Sequence, residues 1–275
     1  MRFFVFFILI NISIDLLAEN RNDLNLIDPC SEALGTVSIY SMHTENPAML
    51  PVQDADNRLS ISHKNHYLTQ ELNSWKGSFT SHTQWFTTGI SLAGYGYEHY
   101  NHLALGGSVG RSLSSSVAIG VGVNLLSLYY TGCEGRKNNL TVRIGTVVAP
   151  DAKYLISCWI DNPFQSGFLN EHGEEEKLPT VIYGGFRLSL TENTQWSVEA
   201  ENGDFSTWRI KSGFEYAIKS FAIRCGAFGK PVIPTVGFGF SFLDFALNIS
   251  GRYHNLLGIS LSCGIQWKFP QSLTD

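Results

Sequence analysis

Leu257-Gly258-Ile259-Ser260-Leu261-Ser262-Cys263-Gly264-Ile265-Gln266-Trp267-Lys268-Phe269 is the stretch whose pattern decides the fold. Leu257, Ile259, Leu261, Cys263, Ile265, Trp267 and Phe269 form one row, and Gly258, Ser260, Ser262, Gly264, Gln266 and Lys268 form the other. A period of two puts these rows on opposite faces of an extended strand. The preceding stretch repeats the pattern, with Leu243, Phe245, Leu247 and Ile249 against Asp244, Ala246, Asn248 and Ser250. Further upstream, Val117, Ile119, Val121, Val123 and Leu125 alternate with Ala118, Gly120, Gly122 and Asn124.

The charged residues follow the same rule. Arg209, Lys211 and Glu215 alternate with Trp208, Ile210, Phe214 and Tyr216, and Glu199 and Glu201 with Trp196, Val198 and Ala200. Arg143, Arg187 and Arg224 each stand between bulky apolar neighbours. Apolar-out, polar-in alternation over about ten residues is the pattern of a membrane barrel. A soluble sandwich also alternates, but its outer row is crowded with Lys and Glu. Here the non-apolar row is rich in Gly, Ser and Ala, and aromatics such as Tyr129, Tyr130, Tyr253, Trp267 and Phe269 gather at segment ends, as interfacial girdles require.

The expected fold is therefore all-β, a transmembrane antiparallel β-barrel of about 14 strands with a short N-terminal plug segment. The strands are expected near 57–68, 71–81, 83–93, 98–111, 115–130, 137–149, 153–161, 179–191, 194–202, 206–218, 220–229, 231–241, 242–252 and 255–269. Twelve is the alternative count, because the first two segments and the junction at Phe240 to Phe242 alternate least cleanly. An even number leaves both ends of the wall on one side. Short turns at Ser112-Leu113-Ser114, Pro150-Asp151, Glu192-Asn193 and Lys219-Ser220 then face the periplasm, and the long connection 162–178, with Glu174-Glu175-Glu176, faces outward.

Composition agrees. Only 16% of the 275 residues are charged, against 26 Gly, 18 Phe, 11 Tyr and 6 Trp; about 25% charged is usual for a soluble domain. The net charge of −5, without a basic block, argues against a nucleic-acid partner. Arg2, then Phe3 to Ile10, then a small residue at Ala18 reads as a secretory signal peptide, 1–18. Asn11 and Asp15 cut its apolar run short of the roughly 18 residues a spanning helix needs. Cys30, Cys133, Cys158, Cys225 and Cys263 show neither paired nor zinc-finger spacing, and Cys225 and Cys263 fall in apolar rows, so no disulfide framework is expected.

Residues 19–56 do not alternate. Ser31-Glu32-Ala33-Leu34-Gly35 and then Asn46, Pro47, Ala48, Met49 and Leu50 suggest a compact non-sheet piece tucked into the barrel; a disordered leader is the other reading. The division expected is 1–18 signal peptide, 19–56 plug, 57–269 barrel and 270–275 tail. An Asn46-Pro47-Ala48-Met49-Leu50 motif at this place, ahead of a Gly- and aromatic-rich barrel, resembles the FadL-type superfamily, which includes long-chain fatty-acid transporters and PorV-like components of the type IX secretion system. The resemblance implies a bacterial outer-membrane location and either passage of a hydrophobic small molecule, crossing between plug and wall near Asn46 to Leu50, or a role in protein export without transport. Implied partners are outer-membrane lipid and either that molecule or secretion-system proteins.

Arg143, Arg187, Glu199, Glu201, Arg209, Lys211, Glu215, Arg224 and Asp244 are expected to face the lumen. They would either line a polar path or pair to fill a closed interior. Both signs on the strand of Arg209, Lys211 and Glu215 favour filling, and a barrel of this size has room for a plug or a narrow path only. Tyr97-Glu98-His99-Tyr100-Asn101-His102 is the best histidine cluster, but an odd spacing turns His99 and His102 to opposite faces of a strand. No enzyme activity, metal or cofactor is expected. Pro234 within a strand marks a candidate wall defect, or a plain edge or bulge.

Overall fold

A computed structural model describes residues 28–53, 56–132, 135–169, 175–203 and 207–269. The expected signal peptide, Cys133, Glu174 and the tail 270–275 lie outside the described residues.

Fourteen antiparallel strands close into a ring. In chain order they are β1 (Asn57–Asn65), β2 (Asn73–His82), β3 (Thr87–Tyr97), β4 (Tyr100–Ser112), β5 (Val117–Tyr130), β6 (Lys137–Val148), β7 (Tyr154–Asp161), β10 (Val181–Thr191), β11 (Thr194–Gly203), β12 (Thr207–Ile218), β13 (Phe221–Phe228), β14 (Ile233–Phe242), β15 (Phe245–His254) and β16 (Gly258–Phe269); between β7 and β10 a small hairpin pairs β8 (Gly167–Leu169) with β9 (Glu175–Lys177). Every wall strand pairs with its neighbour in the chain, β7 with β10, and the seam joins β1 to β16 from Asn57↔Phe269 to Asn65↔Leu261. Closure leaves no strand edge with unpaired backbone groups, the condition for a sheet to exist in lipid.

The two rows read from the last stretch fall as the period requires. Ser260 and Ser262 are buried towards the lumen, while Leu261, Cys263, Ile265 and Trp267 are exposed outward. The register carries this parity around the ring, so that Ile90, Leu105, Val121, Leu140, Ile210 and Phe238 all face out. This polarity inverts that of a soluble protein. Aromatic contacts cluster at the end where β1 starts and β16 ends: Phe245–Trp267 at 5.8 Å, Trp267–Phe269 at 5.0 Å and Phe221–Phe240 at 4.9 Å.

Some expected boundaries move. β1 ends at Asn65 rather than 68, because Tyr67 and Leu68 adopt φ of 57° and 54°, which no extended strand tolerates. The long connection contains the β8–β9 hairpin, too short for alternation to reveal. Pro234 is paired opposite Ala227 without a register break, and the pairing of β14 to β15 starts only at Thr235, so the wall is continuous there. Asp244 belongs to no strand; it lies exposed in the turn between β14 and β15, at the barrel rim. Its expected lumenal position is corrected accordingly, for a two-residue turn reverses the chain just where the alternation was extrapolated through it.

Residues 28–53 lie inside the ring, as a short helix α1 (Pro29–Ala33) and two 3-10 turns, Ser38–Tyr40 and Pro47–Met49. The helix packs on β13 to β16, the first turn on β10, and the second on β4, β5 and β6. Glycines on the inner row make room for it. A Cβ on Gly120 would stand 2.3 Å from the Pro47 carbonyl carbon, one on Gly213 2.5 Å from the Leu34 oxygen, and one on Gly237 2.6 Å from the Ala33 Cβ.

Candidate functional site: the lumen and its inner segment

The inner segment owes its local shape to two capping residues. Asp28 opens α1: its Oδ1 accepts the Ser31 N–H at 2.9 Å, while Oδ2 accepts the Ser41 hydroxyl at 3.1 Å and the N–H groups of Met42 and His43. One carboxylate thus staples residues 28–31 to 41–43. Burial raises the Asp28 pKa, the bonds from Ser31, Ser41 and Met42 offset the rise only in part, and Glu45 adds to it. Asn46 opens the second 3-10 turn, its Oδ1 accepting the Ala48 N–H at 2.9 Å, with Pro47 in the first position, where a missing N–H costs nothing. The Asn46 Nδ2 donates to Ser157 Oγ at 2.9 Å, which ties the turn to β7. Ala48 and Met49 pack with Val37, Ile39, Val147 and Leu155, and Leu50 is buried over Gly89.

Charge fixes the segment at three places. Glu32 accepts the Ser262 hydroxyl at 2.7 Å and faces Lys64 at 3.1 Å and Arg252 at 3.5 Å. Glu45 pairs with Lys76 and, at 3.1 Å, with Arg143, which also faces Asp161 at 3.5 Å. Lys211 pairs with Glu199 at 2.9 Å and Glu201 at 2.7 Å and donates to the Thr36 carbonyl at 3.2 Å; Glu199 in turn accepts the Ser38 N–H and hydroxyl. Buried pairs of this kind are costly to break from one side, because the partner left behind stays desolvated.

Of the remaining expected lumenal residues, Arg209 extends the third clamp, and Arg187, Glu215 and Arg224 lie on the wall beside it. Arg209 pairs with Glu201 at 2.9 Å and is half-exposed. Arg224 donates to Glu215 at 2.6 Å and to Asn248 at 2.7 Å. Arg187 faces inward opposite Ser197, with its Nε buried and without a hydrogen-bond partner. Glu32, Glu45, Lys64, Lys76, Asp161 and Arg252 were not singled out from the sequence. The signal was present for Lys64 and Lys76: Arg58, Ser60, Ser62 and Lys64 alternate with Leu59, Ile61 and His63, and Ser74, Lys76, Ser78 and Thr80 with Trp75, Gly77 and Phe79.

The His43 ring bridges Ser78 Oγ at 2.7 Å and Ser62 Oγ at 2.6 Å, and burial drives its pKa well down, helped by Lys76. His66, in the turn after β1, is pushed down to about 3, first by burial and then by Lys64, Arg252 and His63. The unfolded chain takes up protons on both rings below about pH 6.5, where the folded chain refuses them. Stability from these two groups is therefore full above 6.5 and declines as pH falls towards 3; Asp28, whose pKa is raised, works with the opposite sign. The unfolding temperature in detergent should drop between about pH 7 and pH 4, and His66→Gln should flatten the decline. A pH-independent transition would contradict neutral burial of the two rings.

Between the second 3-10 turn and β2 to β5 lies a polar cavity of about 20 Å³, measured by the space open to a water's centre, bordered by His43, Glu45, Lys76, Ser91, Ser108 and Asn124. That holds a water or two. The Gly-x-Ser-x-Gly letters at Gly106-Gly107-Ser108-Val109-Gly110 match a nucleophile elbow. They lie wholly within β4, paired on both sides, and no strand-to-helix turn presents Ser108. His99 is in the turn before β4 and contacts Thr131 Oγ1 at 3.1 Å, whereas His102 faces inward and contacts Tyr100 at 3.0 Å. Among the described residues no group of three His, Cys, Asp or Glu could hold a metal, and no helix is long and apolar enough to cross a membrane.

A closed ring that is apolar outside and polar inside, crossed by a non-sheet segment, defines the membrane-barrel class. No protein-family model matches the sequence, and neither does any curated protein. Solved structures do match in fold. The CymD monoaromatic hydrocarbon channel superposes with a TM-score of 0.70 at 10% identity, over 90% of this chain and 99% of that one. The P. putida toluene transporter TodX gives 0.67 at 12% identity, over 90% and 100%. A Pseudomonas aeruginosa FadL homologue gives 0.63 at 10% identity, over 88% and 98%. The chain has the FadL-type barrel fold.

Proposed function

We propose that this chain is a bacterial outer-membrane barrel that passes a small hydrophobic molecule, with residues 19–56 as its plug, 57–269 as its wall and 1–18 removed on export. The supporting observation is the fold shared with channels named for toluene and monoaromatic hydrocarbons over about nine-tenths of this chain. The ligand would leave the lumen between the inner segment and the wall near Asn46 to Leu50, where Asn46 is tied to β7 and Leu50 packs over Gly89. Lumenal charges such as Glu199, Glu201, Arg209, Lys211, Glu215 and Arg224 act in this reading as fillers and clamps, leaving the interior closed until the segment shifts.

One observation favours a second reading. Buried ion pairs join the inner segment to the wall, and the cavity beside the second 3-10 turn is about 20 Å³, as suits a non-conducting barrel that serves structure or secretion. Uptake of labelled toluene by whole cells separates the two. Cells producing the chain should accumulate it faster than cells lacking it. Equal uptake, with secretion proteins co-purifying, would transfer support to the second reading.

A further inference from the structure

The inner wall carries much hydroxyl, amide, glycine and charge, broken by apolar clusters: Val147 and Leu155 lie under the inner segment, Trp159, Val181 and Tyr183 pack on one another, and a third lies near the outer mouth. Leu126, Leu128 and Tyr130 lie on the lumenal row of β5, and Leu178, just past β9, packs against them. Two positions deeper, Ala93 and Ala104 continue the apolar surface with Tyr95, down to the level where Ser91, Gly106 and Asn124 begin the polar cavity. A membrane barrel gains nothing in stability from apolar side chains facing its polar lumen unless something covers them. What covers them here is a benzene ring: Phe168 of β8 is only 2% exposed and packs into the patch.

The backbone around that ring is held independently of it. The Ser166 hydroxyl donates to the Leu140 carbonyl at 2.6 Å, and Asn162 Nδ2 donates to the carbonyls of Ser166 and Leu178, both at 3.0 Å. The Thr180 hydroxyl closes the base of the loop on the Asn162 carbonyl at 2.8 Å. The loop that carries the ring is thus anchored by hydrogen bonds that do not involve it.

We propose that this inward patch is a binding seat for a small uncharged aromatic molecule, occupied in the closed protein by Phe168 as a built-in surrogate. The occupant already present sets the chemistry: one six-membered aromatic ring, no charge, contacts from three leucines and the Tyr130 ring. A ligand of that shape displaces Phe168 and inherits its contacts, and the apolar strip through Leu126, Ala104 and Ala93 carries it inward. This names the substrate class of the passage proposed above and rests on that reading for its physiological meaning, although binding is measured without any transport.

The test uses the full chain in detergent with toluene as probe and cyclohexane as the non-aromatic comparison. Saturating toluene should shift the Phe168 ring resonance of the wild type, identified by its loss in Phe168→Leu. Phe168→Ala should bind toluene about tenfold more tightly than the wild type, and adding Leu128→Asn should reverse the gain. Phe168→Leu, a milder change, guards against misfolding of the alanine variant and should give a smaller gain. A ring resonance unmoved at saturation, no gain in either variant, or an equal gain for cyclohexane would overturn the proposal. Tighter binding with unchanged whole-cell uptake would leave the seat standing and count against passage alone.

Discussion

Glu32→Ala is expected to destabilise the protein by about 3–5 kcal/mol, the largest effect of any single substitution in the inner segment. The carboxylate is buried and faces Lys64 and Arg252 while accepting the Ser262 hydroxyl. Removing it takes the facing carboxylate from two buried cations on β1 and β15, the strands on either side of β16, and deprives α1 of its tie to the seam. Denaturant unfolding in detergent reads the loss, and limited proteolysis within residues 28–53 reads whether the segment comes away. Adding Lys64→Met to Glu32→Ala should recover part of the stability, because one stranded charge goes with it. A change within about 0.5 kcal/mol, the range of ordinary surface substitutions, would mean that Glu32 is not a clamp.

Gly120→Val should displace the second 3-10 turn. A Cβ there would lie 2.3 Å from the Pro47 carbonyl carbon and 2.5 Å from the Ala48 nitrogen, and backbone cannot move aside as a flexible side chain can. Overpacking costs about 1–3 kcal/mol, to which the loss of the Asn46 cap adds about 1 kcal/mol if the turn unwinds. The expected readout is protease access at residues 46–50 and a rise in single-barrel ion current. Gly184 is the control: its Cβ would meet nothing within 4 Å, so Gly184→Val should leave both readouts unchanged. Silence at Gly120 as well would show that the segment does not rest on the wall at that point.

The wall was legible because two solvents write it. Lipid outside and a packed lumen inside force strict alternation, so Leu261 and Ser262, or Ile210 and Lys211, announce their faces without any knowledge of their partners. Three-residue β8 and β9 offer no period to read, and the turn at Asp244 breaks the parity that alternation would have carried through it. Of the inner segment, the sequence shows that it does not alternate and little more. Asn46 and Pro47 carry a local capping signal, whereas the partners of Glu32 and Glu45 come from strands that are far away in the chain and adjacent only after closure. Wall glycines such as Gly120 and Gly237 are the trace the segment leaves in the rest of the sequence, but a glycine does not say which atom it yields to.

The position of Glu32 bears on the order of events in assembly. Lys64 is on the first wall strand, Arg252 and Ser250 on the thirteenth, and Ser262 on the fourteenth, so the carboxylate straddles the join between the beginning and the end of the sheet. A ring that closed empty would enclose Lys64 and Arg252 without this carboxylate. One that closed around the segment satisfies them in the same step that zips Asn57 through Asn65 onto Leu261 through Phe269. Seating of the inner segment and completion of the cylinder thereby favour one another, because the same carboxylate contacts both sides of the join.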